Sequence, residues 1–240
     1  MKMKSMLKYF ISLLGCLSMC MPLHAQQDSI PTIDSLVIKK KYGLRVGVDL
    51  SKITRTFLDA DYKGFEINGD YRIADKLYIA GDVGTEERTS VSDYLNSTAK
   101  GSYLKAGIDY NMHNNWGDME NLVYFGLRFG ISNFTQTLNR YTIYDTNNQT
   151  WGQTDVLVPK TFKGLSSGWL ELMFGFKAEV LTNLFVGVNL QIKGRLYESE
   201  PDNFENLYIP GFGRTFDSGR FGMGYGYNIS YLVPLYKKAK

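Results

Sequence analysis

Phe221-Gly222-Met223-Gly224-Tyr225-Gly226-Tyr227-Asn228-Ile229-Ser230-Tyr231-Leu232-Val233 has two parities of different chemistry. One holds Phe221, Met223, Tyr225, Tyr227, Ile229, Tyr231 and Val233; the other holds Gly222, Gly224, Gly226, Asn228 and Ser230. A two-residue period is the signature of a strand whose faces see different surroundings. This segment therefore reads as a strand with one apolar face and one small, polar face.

The period recurs upstream. Leu44, Val46, Val48 and Leu50 alternate with Arg45, Gly47, Asp49 and Ser51, and Phe65, Ile67, Tyr71 and Ile73 with Glu66, Asn68, Asp70 and Arg72. Leu77, Ile79 and Val83 oppose Tyr78, Ala80 and Asp82, and Leu104, Ala106, Ile108 and Tyr110 oppose Lys105, Gly107 and Asp109. Further strands center on Val123–Ile131, Leu170–Ala178 and Leu184–Ile192, which completes eight. Connections alternate between long (52–63, 86–99, 134–167, 198–219) and shorter (74–76, 113–120, 181–183). The expectation is an all-β, eight-stranded antiparallel up-and-down transmembrane β-barrel with short periplasmic turns and long extracellular loops.

A soluble lipocalin-like barrel shows the same alternation with its apolar face inward. The polar parity argues for the membrane form. Its acids, Asp49, Glu66, Asp70, Asp82, Asp109, Glu171 and Glu179, are matched by the bases Arg45, Arg72, Lys105, Arg128, Lys177, Lys193 and Arg195. A narrow interior can hold such charges only when they pair and hydrogen-bond. The apolar parity carries no charge along the spans, where a cation at the bilayer midplane costs about 2 to 4 kcal/mol. Tyr71, Tyr110, Tyr231 and Tyr236 at one end, with Phe129 and Phe221 toward the other, are candidate aromatic girdles.

The N-terminus reads as an export signal over residues 1–25. Lys2, Lys4 and Lys8 precede an apolar run from Tyr9 to Leu23 that is too short to span a bilayer as a helix. Cleavage after Leu23-His24-Ala25 leaves a tail over 26–41, a barrel over 42–236 and a basic extension over 237–240. Leu13-Leu14-Gly15-Cys16 offers lipid attachment as the rival. Both cysteines, Cys16 and Cys20, fall inside the signal, so the expected mature chain has no thiol chemistry. A net charge of +3 gives no footprint for nucleic acid.

Signals for catalysis are weak. His113, the one histidine beyond the signal, falls in a turn. Glu66 with Asp70, or Glu171 with Glu179, share a face and could serve carboxylate chemistry, but salt bridges to Arg45, Arg72 or Lys177 account for them more simply. Asp145–Gln149 and Glu198–Asp202 cluster oxygen ligands without calcium-loop spacing. Asp28-Ser29-Ile30 and Asp34-Ser35-Leu36 are similar to an O-glycan acceptor triplet.

Lys41-Tyr42-Gly43-Leu44-Arg45-Val46-Gly47-Val48-Asp49, Gly64-Phe65-Glu66-Ile67-Asn68-Gly69-Asp70-Tyr71-Arg72 and Gly224–Tyr231 resemble a Gram-negative outer-membrane barrel family catalogued only as a domain of unknown function. The resemblance implies location and fold and carries no site. The closing run Tyr231–Tyr236 looks like a terminal barrel strand, although Lys237-Lys238-Ala239-Lys240 follows it.

The expected function is a non-enzymatic outer-membrane barrel whose filled lumen makes it an anchor or a platform for its loops. Outer-membrane lipid is the expected surroundings, a monomer the expected state, and no cofactor or nucleic acid is expected. A surface ligand or partner protein could bind the loops. The alternatives are adhesion through the 134–167 loop, an enzyme using Glu66, Asp70 and Glu171, a soluble lipocalin-like binder, or a narrow channel.

Overall fold

The computed structural model describes residues 39–114, 120–143, 154–157, 159–202, 205–216 and 219–239. The proposed signal, the tail up to residue 38 and the Asp145–Gln149 cluster lie outside the described residues. Eight long strands form one antiparallel up-and-down sheet that closes into a ring: β1 (Lys39–Asp49), β2 (Tyr62–Arg72), β3 (Leu77–Val91), β4 (Leu95–Asn111), β5 (Leu122–Ile143), β7 (Lys160–Leu181), β8 (Leu184–Glu198) and β11 (Phe221–Ala239). Pairing of β4 with β5 completes the circuit, and the short β6 (Thr154–Val156) adds to the free end of β5. β1 and β11 reach Lys39 and Ala239, so the ladder takes in the end of the expected tail and most of the basic extension.

The strands are staggered. Stepping across paired residues from Leu44 leads to Tyr71, Ile79, Ile108, Leu127, Leu172, Ile192 and Met223. In the β1–β11 register Met223 falls level with position 54, ten residues above the start. Closing a sheet on itself requires such a stagger and tilts the strands by roughly 35 to 45°.

The expected loops differ most from the structure. Residues 86–99 are largely strand: β3 and β4 continue as a hairpin with a turn at 92–94, and their pairing runs from Glu86↔Gly101 to Val91↔Asn96. Thr89, Ser90, Ser97 and Thr98 hide this extension from a parity search, because both faces there are polar. β5 and β7 likewise extend to 22 residues each and consume much of 134–167.

The first expected loop holds a helix, α1 (Leu50–Leu58). Asp49 is its N-cap and accepts hydrogen bonds from the Ser51 N–H at 2.7 Å and the Ser51 hydroxyl at 2.5 Å. β1 stops at this cap. Above it, Tyr62–Glu66 of β2 and Phe221–Tyr227 of β11 have no strand between them. α1 packs against both and fills that gap. Thr56 Oγ1 replaces the missing ladder at Gly64, accepting from its N–H at 2.9 Å and lying 3.2 Å from its carbonyl oxygen.

The last expected loop turns inward. Its two-stranded hairpin, β9 (Tyr208–Ile209) with β10 (Gly213–Arg214), enters the mouth of the ring and buries Tyr208, Ile209 and Phe212. Ile209 and Phe212 join Tyr103, Phe134, Leu165 and Trp169 in one cluster, while Tyr208 packs on Tyr62 and Ala99. Leu207-Tyr208-Ile209-Pro210-Gly211-Phe212 is apolar for a loop, and burial explains why.

The two faces of the ring are the reverse of a soluble core. Outward positions such as Val83, Leu127 and Phe174 are exposed, whereas Arg45, Lys105 and Arg128 inside are at most 3% exposed. Aromatic rings are accommodated inside by glycines directly opposite them in the ladder: Tyr103 by Gly84, Tyr124 by Gly175, and Trp169 by Gly130. A Cβ at each glycine would overlap the ring. The glycine-rich parity is thus the set of notches that lets aromatic side chains lie across a narrow interior.

Candidate functional site

The polar parity places fourteen charges toward the interior, and twelve are buried there; Glu179 and Arg195 are partly exposed at the rims. At the end where β1 begins and β11 ends, Arg72 donates to Glu120 at 2.8 Å and to the Lys41 carbonyl at 3.1 Å. Lys41 bonds Glu179 at 3.4 Å and Asn183 at 3.1 Å. Asn183 sits at φ 65° in the β7–β8 turn, a conformation asparagine tolerates. Further in, Lys177 holds Asp70 at 2.6 Å, and Arg45, 3.6 Å from the same carboxylate, lies over the Phe185 ring at 4.2 Å.

Arg128 Nη2 donates to Asp109 Oδ2 at 2.8 Å, while Nη1 lies 2.8 Å from Oδ1 as an ionic contact and donates to the Ile108 carbonyl at 3.0 Å. Its Nε lies 3.7 Å from Asp82. Lys105 sits among three carboxylates, Glu66 at 3.3 Å, Asp82 at 3.5 Å and Glu171 at 3.8 Å. Lys193, 3.8 Å from Glu171, donates to the Gly211 carbonyl at 2.7 Å and so ties this network to the inserted hairpin. A void of about 20 Å³ bordered by Asp82, Arg128 and Lys177 is room for about one water.

Asp49 departs from the expected pattern of paired charges: its carboxylate caps α1. The carboxylates considered for catalysis are all engaged. Glu66 is bound by Lys105 and by the Tyr103 hydroxyl at 2.5 Å, Asp70 by Lys177, and Glu171 by the Trp169 indole at 3.3 Å. Glu198 pairs with Arg195 at 2.7 Å and accepts from Asn206 at 3.1 Å, so the Glu198–Asp202 cluster is partly structural. His113 is exposed in the β4–β5 turn, where its backbone N–H donates to Asn111. Among the described residues no group of histidine, cysteine and acidic side chains could hold a metal ion.

Two buried interior acids escape the sequence reading: Glu120, bound by Arg72, and Glu86. Glu86 Oε1 accepts from Lys52 of α1 and from the Tyr62 hydroxyl at 2.9 Å, and its Oε2 from the Tyr208 hydroxyl and the Gly211 N–H, both at 2.8 Å. One buried carboxylate thereby joins helix, wall and inserted hairpin. The signal was present, because Glu86 continues the parity of Asp82 and Gly84. Gly211 is required twice over: its φ is +82°, and a Cβ would meet the Tyr103 ring. Above the clamp opens a cleft of about 830 Å³ whose charged lining residues are Arg55, Arg88 and Arg214.

The model of a family described as a domain of unknown function, DUF6048, matches residues 6–238. The chain belongs to the DUF6048 family. No curated protein matches it. DUF6048 membership carries no assigned chemistry, so the geometry above is what bears on function.

Proposed function

We propose that this DUF6048 chain is a non-enzymatic outer-membrane β-barrel whose side-chain-filled interior makes it an anchor and a platform for structures at its outer mouth. The observation that carries this is the inversion of its faces. A band of outward side chains, including Leu44, Ile67, Ile79, Val83, Leu104, Ile108, Leu127 and Phe174, stays exposed around a buried ionic interior. Soluble monomers rarely expose a continuous apolar surface beyond a few hundred Å².

The band has the right height. From Val123 to Ile131 the outward positions of β5 are apolar, roughly 26 Å along the strand and about 20 Å along the axis of a barrel tilted near 40°. Side chains at both ends bring it close to the ~25 Å belt of outer-membrane barrels. Polar residues close it above, where Glu87 pairs outward with Lys100 at 3.0 Å. Tyr71, Tyr110 and Tyr231 face outward near the level of Leu44, as a lower aromatic girdle would.

Eight strands enclose a space that side chains fill. The ion pairs and the Tyr208–Phe212 insertion support a plugged interior over a conducting one. Engagement of the interior carboxylates by lysine, arginine, tyrosine and tryptophan argues against acid–base work there. Membrane fractionation combined with heat-modifiable gel migration tests this function: the folded chain is expected in the outer-membrane fraction and to shift on boiling. A soluble chain with no shift would refute it.

A further inference from the structure

The wall gap and the arginine cleft lie side by side. The cavity of about 150 Å³ behind α1 and the larger cleft share Arg55, Tyr208, Gly213 and Met223. Met223 and Tyr225, on the outward face of β11 beside α1, are 86% and 70% exposed. Phe57 and Leu58, which end α1, are equally bare. An apolar strip therefore leads up the outer wall to a cleft whose charged lining residues, among those described, are arginines.

The rim is built for anions. Among the described residues lining the cleft no acid appears. Asp59, beside it, accepts from Arg88 and lies 3.5 Å from Arg55 Nε. One carboxylate thus serves two guanidiniums, and Arg214 adds a third. Aromatic faces orient two of them: Arg55 lies 4.0 Å over Tyr62 and Arg214 5.3 Å over Phe216. Stacking a guanidinium by its face leaves its edge donors to bind an oxyanion in a fork. A volume of about 830 Å³ falls in the range of small-ligand sites.

We propose that the cleft binds an amphiphile with a net-anionic phosphate head, the head between Arg55, Arg88 and Arg214 and the acyl chain along Met223 and Tyr225. The inference rests on the membrane function proposed above, since the apolar strip then faces lipid. A free phosphate shares the head chemistry, and the strip separates the two sources.

Calorimetric titration of the full chain in nonionic detergent tests the proposal, with dihexanoyl phosphatidic acid, dihexanoyl phosphatidylcholine and inorganic phosphate as probes. Saturable binding of phosphatidic acid is expected, about tenfold or more tighter than either other probe, and about tenfold weaker in Arg88→Gln/Arg214→Gln. Arg214→Gln alone serves if the double variant misfolds. Equal binding of the two lipids, inorganic phosphate binding as tightly as phosphatidic acid, or an unchanged arginine variant would each overturn it. Flotation with phosphatidylcholine vesicles reads insertion separately: a chain that floats but does not bind refutes the cleft, and one that binds but does not float refutes the membrane function.

Discussion

Tyr103 lies across Gly84, its directly opposed neighbor on β3, and donates its hydroxyl to Glu66 at 2.5 Å. A glycine on one strand, an aromatic ring on the next and a buried carboxylate beyond it form one packing unit. Gly84→Ala should therefore destabilize the fold by about 1 to 3 kcal/mol, because the added methyl overlaps the ring and meets the Phe65 carbonyl oxygen. Gly194→Ala, whose Cβ would find Phe221 no nearer than 3.7 Å, should change stability by less than about 0.5 kcal/mol. Urea unfolding of the two variants in micelles compares them directly.

Lys105 holds three interior carboxylates, so its removal leaves excess buried negative charge over the partners that remain, Arg128 at Asp82, Lys193 at Glu171 and Lys52 at Glu66. Lys105→Met is expected to cost about 3 to 5 kcal/mol. Adding Glu66→Gln and Asp82→Asn to the same chain should recover part of that loss. A triple variant no more stable than Lys105→Met would show that the charges contribute independently of pairing.

Glu86 secures the inserted hairpin through Lys52, Tyr208 and Gly211. In Glu86→Ala the hairpin should loosen while the ring persists. Trypsin cleavage at Arg214 should accelerate, with the heat-modifiable shift retained. Cleavage at the native rate would mean that Ile209 and Phe212, through their contacts with Trp169, hold the plug without the clamp.

The Arg88–Asp59 pair gives the rim a pH dependence. The hydrogen bond from Arg88 holds the Asp59 carboxyl below its ordinary value of 3.8. A depressed carboxyl stabilizes the fold above its unfolded pKa and loses that contribution as pH falls through the lowered folded value. Chemical shifts of the Asp59 carboxyl should report a midpoint below 3.8, rising to the ordinary range in Arg88→Gln. An unchanged midpoint in the variant would refute the pairing.

Parity made the eight-stranded sheet and its interior charges legible, because a strand with two environments writes its period into the sequence. The same period separates Arg128 and Asp109 from Leu127 and Ile108 in the sequence itself. Three features escaped it. The β3–β4 extension, polar on both faces, has no period to detect. α1 is only nine residues long and stands where a strand was expected to give way to a loop. Tyr208–Phe212 owes its position to Glu86 and Trp169, contacts distant in sequence that no local pattern encodes.

The inversion of the two faces is tested most directly by nitroxide labels at Ile79→Cys, Val83→Cys, Leu127→Cys and Glu87→Cys in the chain reconstituted into lipid vesicles. The first three should collide with oxygen far more than with a water-soluble nickel chelate, and Glu87→Cys should show the opposite preference. Free access of the nickel chelate to Ile79→Cys, Val83→Cys and Leu127→Cys would contradict a lipid-facing apolar belt and with it the proposed function.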